Sequence, residues 1–280
     1  MLSIFSRSVF AACVVAAAFS VASCGQKWRG VDDIKKKGEL VLYTDATWPP
    51  YEYVGDGGRV EGVDVDIGRE IAGDLGVELR VINASFDGFS LALQNGQADV
   101  AISAITITPE RQESLDFSLP YSSTVQFIVK LAADTHVQSF ADLAGRRIGV
   151  QLGTTGDILV SDAIREGALK DTGAQVLQFK ALQEAMLGLF KGDPFAIVCD
   201  DALARNLVAV NPGSTFIPVN SPGNVVVEDE YYGAAIVKGN TTLVNAVNKT
   251  LARLIETGEI ERRVIFHTAN SALYEDDNAQ

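Results

Sequence analysis

Apolar and polar residues in the first half of the chain follow two spacings, one typical of helices and one typical of buried strands. Residues 63–76 carry Ile67, Ile71 and Leu75 at every fourth position, which predicts an amphipathic helix. Residues 87–96 predict a second helix, closed by Gly96. Short apolar runs predict strands at 38–45, 78–83 and 98–106. This alternation predicts an α/β fold with a mostly parallel sheet.

The alternation starts again in the second half of the chain. Residues 146–164 predict a strand, a Gly-Thr turn and a helix. Further strands are predicted at 174–180 and 194–200, and further helices at 181–193 and 242–260. In the last of these helices the apolar positions in line are Leu243, Val247, Leu251 and Leu254. Two α/β units in one chain predict two lobes.

The first 23 residues have the pattern of a secretory signal peptide. One cation, Arg7, precedes an apolar stretch from Val9 to Val21, and small residues follow. The end of this segment, Val21 to Cys24, resembles a bacterial lipobox, in which the cysteine is lipidated and becomes the new N-terminus. A plain signal peptide cut nearby is the alternative. Residues 24–30 then form a short tether.

Composition narrows the possible functions. The chain has 280 residues, 47% of them hydrophobic, and a formal net charge of −13, which argues against an electrostatic nucleic-acid binder. We find no metal-ligand spacing and no nucleophile–base pair, so we expect no metal, no cofactor and no catalytic residues. Cys13 belongs to the signal peptide and Cys24 would be lipidated, which leaves Cys199 as a small buried residue without a disulfide partner.

Candidate binding residues follow the carboxyl ends of the predicted strands, where open α/β sheets bind their ligands. They lie in five places: Asp45 with Trp48; Phe86; Ser103 to Arg111; Gln151 to Thr155; and Asp200. Polar groups that converge in this way are typical of a small-molecule site.

Each candidate also has a plainer explanation. Arg111 is either an anion partner or a surface arginine in the first turn of a helix that begins at Thr108 and Pro109. The Gly-Thr turn at 153–157 either binds an anion or caps its helix. Asp200, or Asp201 beside it, either accepts from an ammonium group or marks the end of a strand. Trp48 and Phe86 either flank a ligand or pack in the core.

Four segments in order resemble the bacterial solute-binding proteins that serve ABC importers of polar amino acids. They are "YTDATWPPYEYVGDGGRVEGVDVDIGREIAGDLG", "AISAITITPERQESLDFSLPY", "DLAGRRIGVQLGTTGD" and "YYGAAIVKGN" with "LVNAVNKTLARLIETGEI". The resemblance runs from about residue 31 to about residue 267. It implies the type II periplasmic-binding-protein fold, with two lobes and two hinge crossings, near 121–123 and 231–233. Lobe 1 would be 31–122 plus 233–270, lobe 2 would be 123–232, and 271–280 would be a C-terminal tail.

The resemblance also implies a role for each candidate residue. Arg111 would clamp the α-carboxylate of a free amino acid, helped by Thr106 and the backbone at Thr155. Asp200 would take the α-ammonium group, with Ser103 or the Ala104 carbonyl nearby. Asp45 would line the pocket for the amino acid's side chain, and Trp48 and Phe86 would flank that side chain. Gln151 and Thr154 would come from the second lobe.

Three departures from the family pattern leave the ligand's side chain open. Ala104 stands where relatives often have serine, Phe195 replaces a common acidic residue, and "RVIFHTAN" stands where a Lys-Trp pair is usual. Asp45, a tryptophan face and the acidic body favour arginine, lysine, histidine or glutamine.

The resemblance implies that the chain is no enzyme but an exported, lipid-anchored monomer. It would face the periplasm or the cell exterior and deliver its ligand to the membrane permease of an ABC importer. The alternative is a periplasmic cyclohexadienyl (arogenate/prephenate) dehydratase on the same scaffold. A receptor's sensory domain and the binding half of a peptidoglycan lyase are further alternatives, and both would need additional domains or membrane spans.

Overall fold

Helices and strands alternate along the chain much as the apolar spacing predicts. The computed structural model describes residues 28–219 and 230–277. The predicted signal peptide and Cys24 lie outside these described residues. The helices are α1 Val31–Lys37, α2 Val63–Leu75, α3 Phe89–Gln94, α4 Pro109–Ser114, α5 Thr155–Arg165, α6 Leu182–Leu189, α7 Asp201–Val210, α8 Thr241–Glu256 and α9 Glu259–Asp277.

The strands are mostly short. They are β1 Glu39–Thr44, β2 Thr47–Trp48, β3 Glu52–Val54, β4 Val60–Glu61, β5 Glu78–Asn83, β6 Val100–Ala101, β7 Leu115–Phe117, β8 Ser122–Thr124, β9 Gln126–Leu131, β10 Arg147–Gln151, β11 Gln175–Phe179, β12 Ala196–Asp200, β13 Ser214–Pro218, β14 Glu230–Tyr232 and β15 Ala235–Val237.

Two five-stranded sheets form the two lobes. The first has the order β5-β1-β6-β15-β7, and the second has the order β11-β10-β12-β9-β13. Helix α2 packs against β1, β5 and α8, while α5 and α6 pack against β10, β11 and β12. The four aligned apolar residues of α8 are buried, as are Ile67 and Ile71 of α2, while Leu75 is partly buried, because each helix turns one apolar stripe toward its sheet or its neighbouring helix.

A short antiparallel ribbon lies where the chain passes between the two sheets. Strand β8 pairs with β14, with Ser122 opposite Tyr232 and Thr124 opposite Glu230. Both predicted hinge crossings, near 121–123 and 231–233, fall on this ribbon. The fold is therefore the two-lobed α/β fold expected from the sequence.

The sheets are less parallel than the sequence predicts. In each sheet one strand, β15 or β9, runs opposite to the other four. Each of these two strands is the first sheet strand after the ribbon, so the chain enters that sheet from the hinge side and not by a helical crossover. Local sequence cannot report this direction, because it is set by the path between the lobes.

The strand predicted over 98–106 is shorter in the structure and covers only Val100–Ala101. Beyond it the backbone leaves the sheet, and Ala104 adopts a left-handed conformation with φ 46°. The Ala104 amide donates to Asp64 at 2.6 Å and the Ser103 hydroxyl donates to Glu52 at 2.9 Å. The buried Asp64 carboxyl group therefore takes the place of a sheet partner for the Ala104 amide, and Glu52 holds the Ser103 side chain.

The structure agrees with one smaller expectation and differs from another. Cys199 is buried in β12, as predicted, and is a free cysteine in the described part of the chain. Helix α9 continues to Asp277, so residues 271–277, expected to be a tail, are helical. None of the helices in the described part of the chain is long and apolar enough to cross a membrane.

Candidate ligand-binding site

The start of helix α4 places Arg111 at the edge of the cleft between the lobes. Thr108 is the N-cap, and its hydroxyl accepts from the Arg111 amide at 3.2 Å, while Pro109 occupies the first turn. The predicted helix start at these two residues is confirmed. A cap of this kind fixes the direction in which the first turn projects its side chains.

The Arg111 guanidinium reaches across the cleft. Nη1 donates to the Thr106 carbonyl at 2.7 Å and Nη2 donates to the Gly153 carbonyl in the second lobe at 3.0 Å. The group also lies 5.4 Å from the ring centre of Phe86. Burial lowers the pKa of Arg111 to about 10, although the carboxylates of Asp200 and Glu230 oppose that shift. The guanidinium therefore stays charged at neutral pH.

Asp200 faces the same space from the end of β12. Its Oδ1 accepts from Gln126 Nε2 at 2.6 Å, and its Oδ2 accepts from the Tyr232 hydroxyl. Burial raises the pKa of Asp200 to about 7, and the nearby Glu230 carboxylate adds to the rise. A bound cation would reverse this shift, because it stabilises the ionised carboxylate.

Asp201 belongs to a different surface. Its carboxylate accepts from Thr124 at 3.1 Å and lies 3.6 Å from Arg205. It lines a hinge-side groove with Tyr51 and Arg205 and not the pocket around Arg111. Of the two aspartates that the sequence left open, Asp200 is the one that faces Arg111's pocket.

Asp45 and Gln151 join the two lobes behind the pocket. Gln151 Nε2, at the end of β10, donates to Asp45 Oδ2 at 2.9 Å, and the Phe86 amide donates to the same oxygen at 2.8 Å. The Asp45 amide donates to the Ser103 hydroxyl at 3.0 Å. Burial raises the pKa of Asp45, although these donors oppose the rise.

A pocket lies between the lobes. It is lined by nine of the eleven predicted site residues: Trp48, Phe86, Ser103, Ala104, Thr106, Arg111, Thr154, Thr155 and Asp200. The other two, Asp45 and Gln151, bond to each other beside it. Both lobes thus contribute to one site.

The two threonines of the Gly-Thr turn face different partners. The Thr154 hydroxyl accepts from the Asp157 amide at 3.3 Å and caps helix α5, while it donates to the Gln151 carbonyl at 2.8 Å. Thr155, the next residue, points its hydroxyl to Glu230 Oε2 at 2.6 Å, on the cleft side. One residue of the pair therefore caps the helix and the other faces the site.

The aromatic residues lie at the site and are also buried. Trp48 and Phe86 are 5% and 6% exposed, and both line the pocket. The indole N–H of Trp48 is buried and has no hydrogen-bond partner among the described residues. A donor in that position suits an acceptor group on a ligand.

Sequence reasoning missed the second layer around the site. Glu230 and Gln126 bond to pocket residues, and Tyr232 holds Asp200. Gln126 could have been noticed, because it is a polar residue at a buried position of an apolar strand. Glu230 carries no such signal, since its position follows from the return of the chain through the hinge.

A buried acidic pair, Glu52 and Asp64, supports the turn that carries Ser103 and Ala104. The Tyr121 hydroxyl donates to Asp64 Oδ2 at 2.9 Å, in addition to the bonds from the turn itself. Burial raises the pKa of Asp64 to about 6, although hydrogen bonds from Ala104, Glu52 and Tyr121 oppose the rise. Burial also raises the pKa of Glu52 well above its usual range, and the neighbouring Asp64 carboxyl group adds to that rise. Within residues 28–219 and 230–277, no group of His, Cys, Asp or Glu is placed to hold a metal ion.

Comparison with known proteins places this geometry in a family. The model of the bacterial extracellular solute-binding proteins, family 3, matches residues 40–264. The arginine-binding extracellular protein ArtP of Bacillus subtilis (strain 168) is 30% identical over 256 residues, which cover 90% of this chain and 92% of ArtP. The L-cystine-binding protein TcyJ of Escherichia coli (strain K12) is 27% identical over 232 residues, covering 82% of this chain and 83% of TcyJ.

Solved structures of solute-binding proteins have a similar fold. The amino acid ABC transporter substrate-binding protein AbpA from Streptococcus pneumoniae, bound to L-arginine, matches with a TM-score of 0.79 and 29% identity. The match covers 86% of this chain and 99% of that one. These relatives are solute-binding proteins, and they lend no support to the dehydratase alternative. The chain belongs to the bacterial extracellular solute-binding proteins, family 3.

Proposed function

We propose that this protein captures a free polar or basic amino acid between its lobes and is the substrate-binding component of an ABC importer. The observation that carries the proposal is one pocket that offers a guanidinium and a carboxylate from different lobes. In the described part of the chain, no carboxylate lies within ion-pair distance of Arg111. Both charged groups are thus available to a zwitterion, whose two ends need opposite partners.

Each pocket residue has a proposed role. Arg111 binds the α-carboxylate, assisted by Thr106 and the backbone at Thr155. Asp200 binds the α-ammonium group, with Ser103 or the Ala104 carbonyl beside it. The ligand's side chain extends between Trp48 and Phe86 toward Asp45, with Gln151 and Thr154 contributed by the second lobe.

The proposed ligands are arginine, lysine, histidine and glutamine. Asp45 supports a cationic or amide side chain, and Arg111 is the one cation among the described residues that line the pocket. ArtP is named as an arginine-binding protein and AbpA has been solved with L-arginine, whereas TcyJ is named for cystine. The family thus accepts different side chains, and the lining of this pocket favours the basic ones.

Titration calorimetry with the twenty amino acids tests the proposal directly. We expect a dissociation constant near the micromolar range, about −8 kcal/mol, for at least one basic or amide ligand. Tight binding of aspartate or glutamate alone would contradict the proposed side-chain preference. Turnover of arogenate or prephenate to an aromatic product would instead support the enzyme alternative.

The proposed lobes are 31–122 plus 233–270 and 123–232, a division supported by the ribbon formed by β8 and β14. A zwitterion that touches both lobes favours their closed arrangement, which a membrane permease would then recognise. We propose that the protein works as a monomer without a cofactor.

We further propose that the exported protein is held at the membrane by lipid on Cys24. The family is extracellular, and the sequence at 21–24 supports the anchor. Several acyl chains are needed for stable attachment, since each buried methylene contributes about 0.8 kcal/mol. Cys24→Ala should release the full-length protein from the membrane fraction in a cell fractionation. Equal membrane retention of the variant would contradict the anchor.

A further inference from the structure

The carboxylate of Glu230, at the start of β14, bridges the two lobes inside the cleft. Its Oε2 accepts from the Thr106 hydroxyl at 3.0 Å and from the Thr155 hydroxyl at 2.6 Å. Its Oε1 accepts from Gln126 Nε2 at 3.1 Å. Thr106 follows the first sheet's central strand and Thr155 begins helix α5, so one side chain from the hinge ties both lobes together.

These two hydroxyls stand beside the guanidinium proposed to bind the ligand's carboxylate. A threonine hydroxyl has a single proton to donate, so Thr106 cannot serve Glu230 and a ligand carboxylate at once. The Arg111 guanidinium donates to the Thr106 carbonyl, which places it next to the same residue. Two carboxylates at this point would also repel each other. An amino acid must therefore displace Glu230 to use the full set of donors.

The charges around the pocket favour cations over neutral zwitterions. Asp45, Asp200 and Glu230 are three carboxyl groups, and Arg111 is the cation facing them in the described part of the chain. An amino acid adds its own carboxylate to a pocket that already has more acidic than basic groups. The amine that lacks the carboxylate brings positive charge alone and leaves Glu230 in its place.

We propose that Glu230 is a specificity-determining residue, whose carboxylate competes with the ligand's α-carboxylate and admits the corresponding carboxylate-free amine. The proposal rests on the assignment of Arg111 and Thr106 to the ligand's carboxylate, and it adds the Thr155 hydroxyl, beside the Thr155 backbone, as a donor to that carboxylate. It adds a ligand class, amines with a cationic side chain. Glu230 supplies, from the protein itself, the carboxylate that such an amine lacks.

The test compares L-arginine with agmatine, its decarboxylated counterpart, by titration calorimetry. The proteins are the wild type, Glu230→Gln and the matched control Glu113→Gln, which removes one exposed acid from helix α4. Glutamine keeps the size of the side chain and can still accept from the threonine hydroxyls, but it loses the charge. We expect Glu230→Gln to bind arginine at least tenfold more tightly and agmatine several-fold more weakly. Glu113→Gln should keep the wild-type ratio of the two dissociation constants.

If folded Glu230→Gln keeps the wild-type ratio of the arginine and agmatine dissociation constants, the inference is overturned. In that case, loss of arginine binding in Arg111→Ala would still leave the proposed function intact. Wild-type protein that binds no amino acid in the panel would overturn both. A crystal structure of the wild type with L-arginine provides a second measurement that does not depend on a variant. It should show the ligand's carboxylate on Thr106 and Thr155 with Glu230 moved away. Glu230 still bonded to both hydroxyls would contradict the competition.

Discussion

At the scale of single residues, Arg111 is held by backbone carbonyls and not by an acidic side chain. The Thr106 and Gly153 carbonyls fix the plane of the guanidinium without neutralising it. An arginine fork of this kind can bind a carboxylate by two parallel hydrogen bonds. The same argument explains why sequence alone could name Arg111: a cation in the first turn of a helix is poorly placed unless an anion joins it.

Arg111→Ala should weaken amino-acid binding by at least about 2 kcal/mol, because it removes the partner of a desolvated carboxylate. Titration calorimetry measures the loss, and Arg111→Lys should recover only part of it because an ammonium lacks the planar fork. Arg59→Ala is the matched control, since Arg59 lies at the surface with only a long contact to Glu61. Equal affinities of Arg111→Ala and Arg59→Ala would refute the assignment.

The acidic pair behind the site predicts a pH dependence. The pKa of Asp64 is about 6 in the folded protein and 3.8 for an unperturbed aspartate, so the folded state binds this proton more tightly. Stability from Asp64 is therefore present below about pH 4 and is lost as the pH rises toward 6. The free energy of unfolding of the wild type, minus that of Asp64→Asn, should fall across this window by at most about 1.4 kcal/mol per pH unit.

Urea unfolding between pH 4 and 7 measures this difference. Asparagine can still accept from the Ala104 amide and the Tyr121 hydroxyl, so the variant keeps the bonds that hold the turn. Asp56→Asn, at an exposed turn in the same lobe, is the control and should run parallel to the wild type. Parallel curves for Asp64→Asn as well would show that Asp64 does not take up a proton in this window.

At the scale of elements, helix α4 has only six residues, and its cap determines where Arg111 points. Thr108→Ala removes the acceptor for the Arg111 amide and should cost about 1 kcal/mol of stability, as N-cap losses do. We expect ligand affinity to fall several-fold in addition, because the first turn carries the anchor. Thr108→Ser should restore both quantities in unfolding and titration experiments. Lower stability with unchanged affinity would mean that Arg111 is positioned without the cap.

The elements also show what could be predicted from the sequence. Apolar spacing was sufficient for α2 and α8, whose buried stripes are the predicted ones, and for strands such as β1 and β12. It failed at residues 102–106, where an apolar run leaves the sheet and the Ala104 amide donates to Asp64, a buried acid distant in sequence. It also gave no sign of Glu230, which reaches the site only because two hinge strands pair.

At the scale of the whole molecule, the proposed function makes ligand binding and lobe closure one equilibrium. Direct bonds already join the lobes in this structure, among them Gln151 to Asp45 and Gln183 to the Thr47 carbonyl at 3.0 Å. The apparent affinity of a ligand falls in proportion to the fraction of protein in the binding-competent form. A cross-lobe bond that does not touch the ligand therefore contributes to affinity through this fraction.

Gln183→Ala tests this link, because Gln183 lies outside the residues that line the pocket. We expect several-fold weaker amino-acid binding and a larger radius of gyration without ligand, measured by small-angle X-ray scattering. At saturating ligand the radius should equal that of the wild type, since the ligand restores closure. Gln175→Ala, at an exposed position of β11 in the same lobe, should match the wild type in both measurements. Weaker binding with an unchanged ligand-free radius would mean that Gln183 acts on the pocket directly and not through lobe closure.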